Sequence, residues 1–322
     1  MRFFLHTTLF ALVMTSALPA LSQGGYADVL LRMGAGSRSE AMGRAFTAVP
    51  GNPESGFYNP ALTTSMSKRE IDISLRALSL DRTFSYAGFS TYIRPKSKRG
   101  GKDPLGGGLA LSWMRAAVSN IDGRDFSGAR YASYSHSQNL FNFSFALNMS
   151  KRVAIGATAR LFWNRFPELG EGGQVTSSRA MGLDIGGLYK PMEGVWIGAA
   201  LKNMNAGFSW TTDKIYERGT NTVDAFPRRW RIGVATSRLY KNLLVAADLE
   251  GSEQQGVKLF LGLEAKVKQQ AVLRLGMREQ SPTFGAGYSF SIGARKVTLH
   301  YAFSTRPHEV SSDHIFSWAF RF

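Results

Sequence analysis

Large apolar residues alternate with small or polar residues along most of the chain after residue 68. In one such stretch Phe141, Phe143 and Phe145 fall on one face of an extended strand, and Asn142 and Ser144 fall on the other. A period of two is typical of a β-strand with one apolar face. The pattern predicts fourteen strands, over residues 69–78, 84–93, 106–117, 138–150, 153–166, 179–190, 195–206, 227–237, 243–251, 257–267, 271–278, 283–293, 296–305 and 312–322.

The last of these strands has aromatic side chains on alternate positions, at Phe316, Trp318, Phe320 and Phe322. An exposed aromatic edge of this kind would promote aggregation of a soluble protein, whereas a strand that closes a barrel in lipid needs an apolar outer face. The sequence therefore predicts an all-β fold, a 14-stranded antiparallel transmembrane β-barrel. We expect the four aromatic residues to be the signal that the barrel assembly machinery recognises.

The connections between the predicted strands alternate in length. Residues 150–152, 191–194 and 268–270 form short turns, and the loops on the opposite side, which include 119–137 and 207–226, are long. Short periplasmic turns and long external loops are typical of bacterial outer-membrane barrels. The basic, glycine-rich stretch 94–105 is an exception on the short side, which indicates either a periplasmic contact loop or a misplaced second strand.

The loop 207–226 contains two aromatic residues that the pattern leaves exposed. Trp210 and Tyr216 are therefore predicted to contact a partner.

The first 68 residues lack the alternation. Residues 1–22 have a basic start, an apolar middle and a small-residue end, which predicts a removable signal peptide and export to the outer membrane. A single membrane helix is the alternative, and Pro19 disfavours it. Residues 23–68 are rich in glycine and alanine and are predicted to form a small N-terminal hatch inside the barrel of residues 69–322.

Composition agrees with a membrane barrel. The chain has 34 glycines, 12% aromatic residues and no cysteine, and its mean hydropathy is −0.14, because apolar and polar faces cancel in the average. The net charge of +16 does not indicate nucleic-acid binding, since the basic residues are scattered and form no platform with aromatic residues. We expect them to meet outer-membrane lipid and lipopolysaccharide phosphates or to line a polar lumen.

Charged residues that the alternation assigns to the inward face have both signs. Each Arg or Lys facing lipid near the midplane would cost about 2 to 4 kcal/mol, so pairing across the lumen and fixing of the hatch are the expected roles, favoured over a dedicated ion path. The set is Arg76, Arg160, Asp184, Arg231, Asp248, Glu250, Lys258, Glu264, Lys266, Arg274 and Arg278.

Both ends of the chain carry recognisable motifs. The run 34–48 and the following Phe57-Tyr58-Asn59-Pro60-Ala61-Leu62 resemble the N-terminal signature of the PorV/PorQ family, and the final residues 314–322 resemble that family's ending. Arg44 stands where the family has a glycine, which leaves the subfamily open. The family is similar in fold to the fatty-acid channel FadL, so the resemblance implies that Asn59, Pro60 and Ala61 lie at the base of the hatch; an ordinary turn before the first strand is the alternative.

Catalytic chemistry is not indicated. The histidines after the signal peptide have no second histidine at metal-ligand spacing, and no nucleophile is paired with a base. His300, on the predicted lumen face, is the best candidate base, and a structural role in the lumen explains it more simply. We therefore expect no enzyme activity, no cofactor and no metal.

The resemblance implies a non-enzymatic component of the type IX secretion system, which would contact the C-terminal domains of secreted cargo and attachment-complex proteins. The alternative is a FadL-like transporter of hydrophobic small molecules across the outer membrane. A purely structural scaffold is a third reading.

Overall fold

The structure is a computed structural model that describes residues 29–96, 105–168, 175–211, 221–293, 295–305 and 312–322, excepting the side chains of 166–168, 175–177, 210, 211 and 221. The predicted signal peptide, residues 1–22, and Tyr216 lie outside the described residues. Within these ranges no helix has the length and apolar character needed to cross a bilayer.

Antiparallel strands form one continuous sheet that closes on itself. The strands are β1 (Glu70–Ala77), β2 (Arg82–Ile93), β3 (Gly107–Arg124), β4 (Arg130–Asn148), β5 (Val153–Glu168), β6 (Val175–Met192), β7 (Val195–Met204), β8 (Gly207–Thr211), β9 (Asn221–Ala225), β10 (Arg229–Thr236), β11 (Leu243–Ser252), β12 (Lys258–Lys266), β13 (Ala271–Arg278), β14 (Ser281–Ile292), β15 (Arg295–Ser304) and β16 (Asp313–Arg321). β1 pairs with β16, and β5 pairs with β6, so the ring is complete.

Two pairs of short strands are successive parts of single wall strands. β6 pairs with both β7 and β8, while β10 pairs with β7 and β9 pairs with β8. β7 and β8 therefore make one strand of the wall, and β9 and β10 make the next. The result is a closed 14-strand antiparallel barrel, and the predicted fold class is confirmed.

The closing strand β16 places its aromatic residues on the outer face. Trp318 lies opposite Ile73 of β1 and Leu299 of β15. Phe316 is 49% exposed, whereas the intervening Ser317 is 1% exposed. Phe316, Trp318 and Phe320 thus share the outer face of the closing strand, with Phe322 exposed just after it. Recognition of these residues by the assembly machinery stays a prediction.

Large apolar side chains project outward from strand after strand around the barrel. Examples on different strands are Leu75, Phe143, Ile155, Ile232, Leu273 and Phe284, all exposed. Many of the alternate residues, which face inward, are small, polar or charged and are buried, and a smaller set that includes Phe84, Met114 and Phe162 is apolar. This polarity is the reverse of that in a soluble sandwich and provides the apolar outer band that lipid requires.

The predicted long loops are largely strand. β3 and β4 extend the ladder to Arg124 and Arg130, so that only a tight turn at 125–129 replaces the predicted loop 119–137. The connection between the predicted strands 153–166 and 179–190 and the predicted loop 207–226 likewise contain strand, and Trp210 lies in β8 opposite Thr222 instead of in a loop. Polar residues occupy both faces of these extensions, so the period-two signal fades where the ladder continues.

Residues 29–66, here called the inner segment, lie within the barrel. The inner segment contains α1 (Val29–Arg32), α2 (Ser37–Ala41), α3 (Ser55–Tyr58) and a 3₁₀ helix, η1 (Pro60–Ser65). α2 contacts β13 to β16, and η1 contacts β2 to β6 on the other side. Side chains such as Met42, Phe46 and Leu62 have no exposed surface.

The outward polarity of the wall generates a stability prediction. Leu275 lies near the centre of β13, between Leu263 and Phe284, and is 51% exposed. Leu275→Arg is expected to lower the free energy of unfolding in lipid vesicles by about 2 to 4 kcal/mol, because the cation would face hydrocarbon. Gln269→Arg, in the exposed turn before the same strand, should cost about 1 kcal/mol or less. Equal effects of the two changes would contradict a lipid-facing wall.

Candidate functional site

The buried carboxylate of Glu40 on α2 is the centre of the first set of contacts between the inner segment and the wall. Its oxygens lie 2.5 Å from Arg44 Nε, 3.3 Å from Arg76 Nη2 of β1 and 3.4 Å from Arg278 Nη1 of β13. Burial by itself would raise the pKa of Glu40, but the three guanidinium charges outweigh it and lower the pKa to about 2. Glu40 is therefore ionised and connects the inner segment to two distant strands.

A second contact joins α2 to β12 and β13. Glu264 accepts two hydrogen bonds from Arg38, at 2.7 and 2.8 Å, and a third from Arg274 Nε at 2.7 Å. The paired, parallel geometry of the Arg38 guanidinium and the carboxylate is the strong form of this interaction.

A third contact involves the backbone of the inner segment. Asp248 of β11 accepts hydrogen bonds from Phe46 N and Thr47 N, each 2.9 Å, and from Thr47 Oγ1 at 2.7 Å. Arg231 of β10 lies 3.1 Å from the same carboxylate. These inward charges pair with groups of the inner segment, whereas Lys266 is exposed at the end of β12. That the pairs fix a hatch stays a prediction.

The Asn59-Pro60-Ala61 motif is fully buried against β6. Asn59 Oδ1 accepts a hydrogen bond from Ala61 N at 3.0 Å and so caps η1, with Pro60 at its first position. Asn59 Nδ2 donates to Thr47 O at 2.9 Å and to Gly187 O at 3.0 Å. One side chain thus satisfies three backbone groups, one of them in the wall.

Two wall glycines permit this close approach. A Cβ on Gly186 would lie 2.1 Å from Asn59 Oδ1, and a Cβ on Gly198 would lie 2.2 Å from Thr47 O. Any side chain at either position would displace the motif. The role of the motif in a hatch stays a prediction.

Glu54 is a buried carboxylate that sequence reasoning missed. Its Oε2 accepts a hydrogen bond from Ser39 N at 3.2 Å, and its Oε1 has no hydrogen-bond partner. Burial raises the pKa of Glu54 to about 7, against the opposing effects of its hydrogen bonds with Ser39 and the charge of Arg38. The sequence offered no signal, because Glu54 follows the turn residues Asn52-Pro53 that indicate a solvated loop.

An aromatic cluster occupies the lumen beside the inner segment. Phe162 of β5, Phe208 of β8 and Phe226 are buried and meet edge to face, with ring centroids 4.9 to 5.9 Å apart. The cluster is continuous with Phe57 and Tyr58 of the inner segment. The charged pairs Arg160–Asp184 and Arg231–Asp248 lie on the same or neighbouring wall strands and border this apolar site.

The wall is interrupted next to this cluster. Asn203, near the end of β7, and Asn205, between β7 and β8, have left-handed backbones with φ of 62° and 54°. Residues 226–228, with Pro227 at their centre, separate β9 from β10. Proline has no N–H to donate to the ladder. Asn203 Nδ2 instead donates to Pro227 O at 3.1 Å, and Phe226 N donates to Ala206 O at 2.8 Å. One side-chain bond and one backbone bond therefore join the two wall strands where the regular pairing is interrupted.

The remaining candidates have structural contacts. His300 Nδ1 lies 3.2 Å from Arg274 Nη1, and its carbonyl oxygen accepts a hydrogen bond from Ser37 Oγ. Among the described residues, no group of three or more His, Cys, Asp or Glu side chains is arranged to hold a metal ion. Trp210 has a described backbone only, so its predicted partner contact stays a prediction, as does that of Tyr216.

These features define a closed fourteen-stranded barrel with an occupied lumen, and solved outer-membrane channels have a similar fold. The Pseudomonas putida toluene transporter TodX is 14% identical with a TM-score of 0.57, covering 89% of this chain and 96% of that one. A deletion mutant of TodX, described as a monoaromatic hydrocarbon channel, is 13% identical with a TM-score of 0.58, and the match covers 89% of this chain and 98% of that one. A Pseudomonas aeruginosa FadL homologue is 11% identical with a TM-score of 0.52, and the match covers 89% of this chain and 98% of that one.

No family model matches the sequence, and no curated protein matches it. The structural neighbours thus support the FadL-like fold that the PorV/PorQ resemblance implied, and nothing in them is specific to PorV/PorQ.

The Glu40 contacts generate a prediction for docking of the inner segment. Glu40→Gln is expected to lower the free energy of unfolding by about 3 to 5 kcal/mol, because buried guanidinium groups lose their counter-charge. Since the pKa of Glu40 is lowered to about 2 from 4.5, its contribution is complete above about pH 4.5 and is lost as the pH falls through 2. Glu279→Gln, whose partner Lys258 is 3.1 Å away at the surface, should change stability by about 1 kcal/mol or less.

The measurement is urea-induced unfolding of the barrel in lipid vesicles, combined with hydrogen exchange of residues 29–66. Faster exchange of the inner segment in Glu40→Gln alone supports the docking role. Parent-like exchange and stability in that variant would show that Glu40 does not hold the segment.

Glu54 generates a second prediction, in which the contribution to stability changes with pH in the opposite direction to that of Glu40. Its pKa in the folded protein, about 7, lies above the ordinary value of 4.5, so the folded state binds the extra proton. The contribution of Glu54 to stability is therefore greatest below about pH 4.5 and is lost as the pH rises to about 7. The protection factor of residues 29–66, which is the intrinsic amide exchange rate at each pH divided by the observed rate, should fall over this range in the parent and in Glu279→Gln. Glu54→Gln should remove that fall, and an unchanged pH profile of the protection factor in Glu54→Gln would refute the assignment.

Proposed function

We propose that this protein is an outer-membrane channel that passes hydrophobic small molecules, with the inner segment as its plug. The aromatic cluster of Phe162, Phe208 and Phe226, placed in the lumen beside an interrupted part of the wall, carries the proposal. The printed descriptions of the structural neighbours, a toluene transporter and a monoaromatic hydrocarbon channel, agree with this chemistry.

The cluster suits an apolar or aromatic guest. Edge-to-face contacts between rings gain about 0.5 to 1.5 kcal/mol beyond simple burial, and a planar hydrocarbon can replace one ring in such an arrangement. Lys202 and Arg160 lie at the border of the cluster, each 5.0 Å from the Phe57 ring, and both donate hydrogen bonds to Phe57 O. Lys202 Nζ and Arg160 Nη2 are thus bound to the backbone of the inner segment, and the three rings of the cluster face one another.

The wall break supplies an exit. Regular backbone pairing would seal the sheet between β7–β8 and β9–β10, but Asn203, Asn205 and Pro227 hold this region in another conformation. A guest at Phe226 is adjacent to the break, because Phe226 N itself bonds across it to Ala206 O. We propose that the guest leaves the lumen there for the surrounding lipid.

The plug role rests on the extent of contact. The inner segment bonds to β6 through Asn59, to β11 through Asp248 and to β12 through Glu264. Contacts on several sides of the lumen oppose free passage of water and ions, while a route from the aromatic cluster to the wall avoids them.

The sequence motifs favour a second candidate function. The run 34–48, the motif Asn59-Pro60-Ala61 and the ending 314–322 resemble PorV/PorQ proteins, so we also propose a role in the type IX secretion system. In that role the partners would be the C-terminal domains of secreted cargo and attachment-complex proteins. Trp210 and Tyr216 are then the candidate contacts.

Removal of two rings of the cluster tests the transport proposal. Phe162→Ala with Phe226→Ala is expected to reduce toluene uptake by roughly tenfold, because two aromatic contacts to the guest are lost. Phe141→Ala with Phe143→Ala removes two rings from the lipid face and should leave uptake close to that of the parent. Uptake is measured in cells that express each variant, and folding is checked by the heat-dependent shift of the barrel on gels.

Deletion of the gene separates the two candidate functions. Reduced toluene or fatty-acid uptake with intact surface display of secreted cargo supports the channel. Lost surface display with normal uptake would refute the channel and favour secretion, in which case Trp210→Ala with Tyr216→Ala should abolish co-purification with a cargo C-terminal domain.

A further inference from the structure

Positive charge is concentrated at one end of the barrel. The end that holds the start of β1 and the finish of β16 has turns with exposed basic side chains, here called the basic rim: Lys151, Arg152, Lys266, Lys268, Arg295 and Lys296. The turns between β4 and β5 and between β12 and β13 lie far apart around the ring. Exposed Lys68, Arg69 and Arg94 continue the same charge near β1 and β2.

These basic groups have no carboxylate partner among the described residues, in contrast to those at the opposite end. There, Asp122 pairs with Arg124 and Arg130 at 3.1 and 3.0 Å, and Lys258 pairs with Glu279 at 3.1 Å. At the basic-rim end, the exposed acidic residue that the structure describes is Glu193, which is bound by Lys190 at 2.7 Å. The barrel therefore has an uncompensated cationic end and a balanced end.

Exposed apolar side chains accompany the basic residues in the same turns. Met149, Val267 and Ile292 are 51%, 58% and 61% exposed and lie within three residues of Lys151, Lys268 and Arg295. The turn at 237–242 shows the same arrangement, with Leu239 and Tyr240 exposed between Arg238 and Lys241. An apolar side chain beside a cationic one suits the membrane boundary, because the first can contact acyl chains while the second contacts phosphates.

We propose that the basic rim binds the phosphates of anionic phospholipids in the periplasmic leaflet. The longer excursions of a bacterial barrel lie outside the cell and short turns lie at the periplasmic end. At the opposite end β3, β4, β5 and β6 extend well beyond the neighbouring strands, whereas the turns of the basic rim at 149–152, 267–270 and 293–294 join strands that have no such extensions at this end. The basic groups occur on far-apart sides of the barrel, which fits a surrounding leaflet. An acidic protein would meet them across an end-on interface and would leave the adjacent exposed apolar side chains unexplained.

The basic rim is separate from the lumen, since within the described structure none of its residues belongs to the buried apolar cluster or forms an ion pair with the inner segment. Phosphatidylglycerol is the appropriate probe, because it carries one phosphate and a net negative charge. Electrostatic attraction of each Lys or Arg to an anionic leaflet strengthens the binding constant by roughly fivefold. Several such residues therefore give a strong preference over neutral phosphatidylcholine.

The experiment compares lipids retained by the purified full chain from micelles that contain equal amounts of phosphatidylglycerol and phosphatidylcholine. Retained lipid is counted by native mass spectrometry. The parent should prefer phosphatidylglycerol, and the preference should weaken with added salt. Replacement of all six residues of the basic rim by glutamine should reduce the preference by at least roughly tenfold.

A matched control variant carries six Arg→Gln changes at the opposite end of the barrel, so that both variants lose six positive charges. These exposed residues are Arg115, Arg124, Arg130, Arg165, Arg179 and Arg228. This variant should keep the phosphatidylglycerol preference of the parent.

An unchanged preference in the basic-rim variant, or an equal loss in both variants, would overturn the proposal. If the basic-rim variant instead lost bound lipopolysaccharide and kept its phosphatidylglycerol, the basic rim would lie in the outer leaflet, and this result would also overturn the proposal. Toluene uptake of the basic-rim variant distinguishes this failure from failure of the channel proposal, since uptake should be unaffected.

Discussion

The absence of water in the bilayer core is the constraint on which the structure depends. Each backbone N–H and C=O that faces hydrocarbon must find a partner within the protein, and a closed sheet provides one for every strand. Closure is completed by β1 and β16, where Ile73 faces Trp318 and Leu75 faces Phe316. Because side chains alternate across a strand, an apolar outer face leaves the other half of the residues pointing into the lumen. The lumen must then be either hydrated or filled.

In this protein the inner segment fills much of the lumen, and charged contacts fix its position. Glu40, Glu264 and Asp248 each join the segment to a different part of the wall. Buried ion pairs add little net stability, because desolvation offsets their attraction, but breaking one is costly. Such pairs therefore select one docked position over alternatives. Gly186 and Gly198 complete the selection by allowing the Asn59 motif to touch the wall backbone.

The fourteen strands were predictable because lipid imposes a strict period of two, as in Phe141, Phe143 and Phe145. The alternation of apolar and polar residues ends where the strands leave the bilayer. There β3 and β4 carry polar residues on both faces, so the sequence did not predict their full length. The partners of buried charges were also beyond the sequence, since Glu40 and Arg278 are separated by most of the chain and meet only after closure. Glu54 and the break at Pro227 were missed because turn-forming residues surround them.

The aromatic cluster and the wall break explain each other better than either is explained alone. Three buried phenylalanines are an ordinary core in isolation, and an asparagine with a left-handed backbone is an ordinary bend. A barrel wall gains nothing from a break, however, because regular pairing through Asn203 to Phe226 would give more backbone hydrogen bonds, and left-handed residues cost free energy. Strain retained beside an apolar site is typical of a functional region. The proposed passage of an apolar guest between the lumen and lipid would use both features at once, which is why the channel proposal fits this part of the wall.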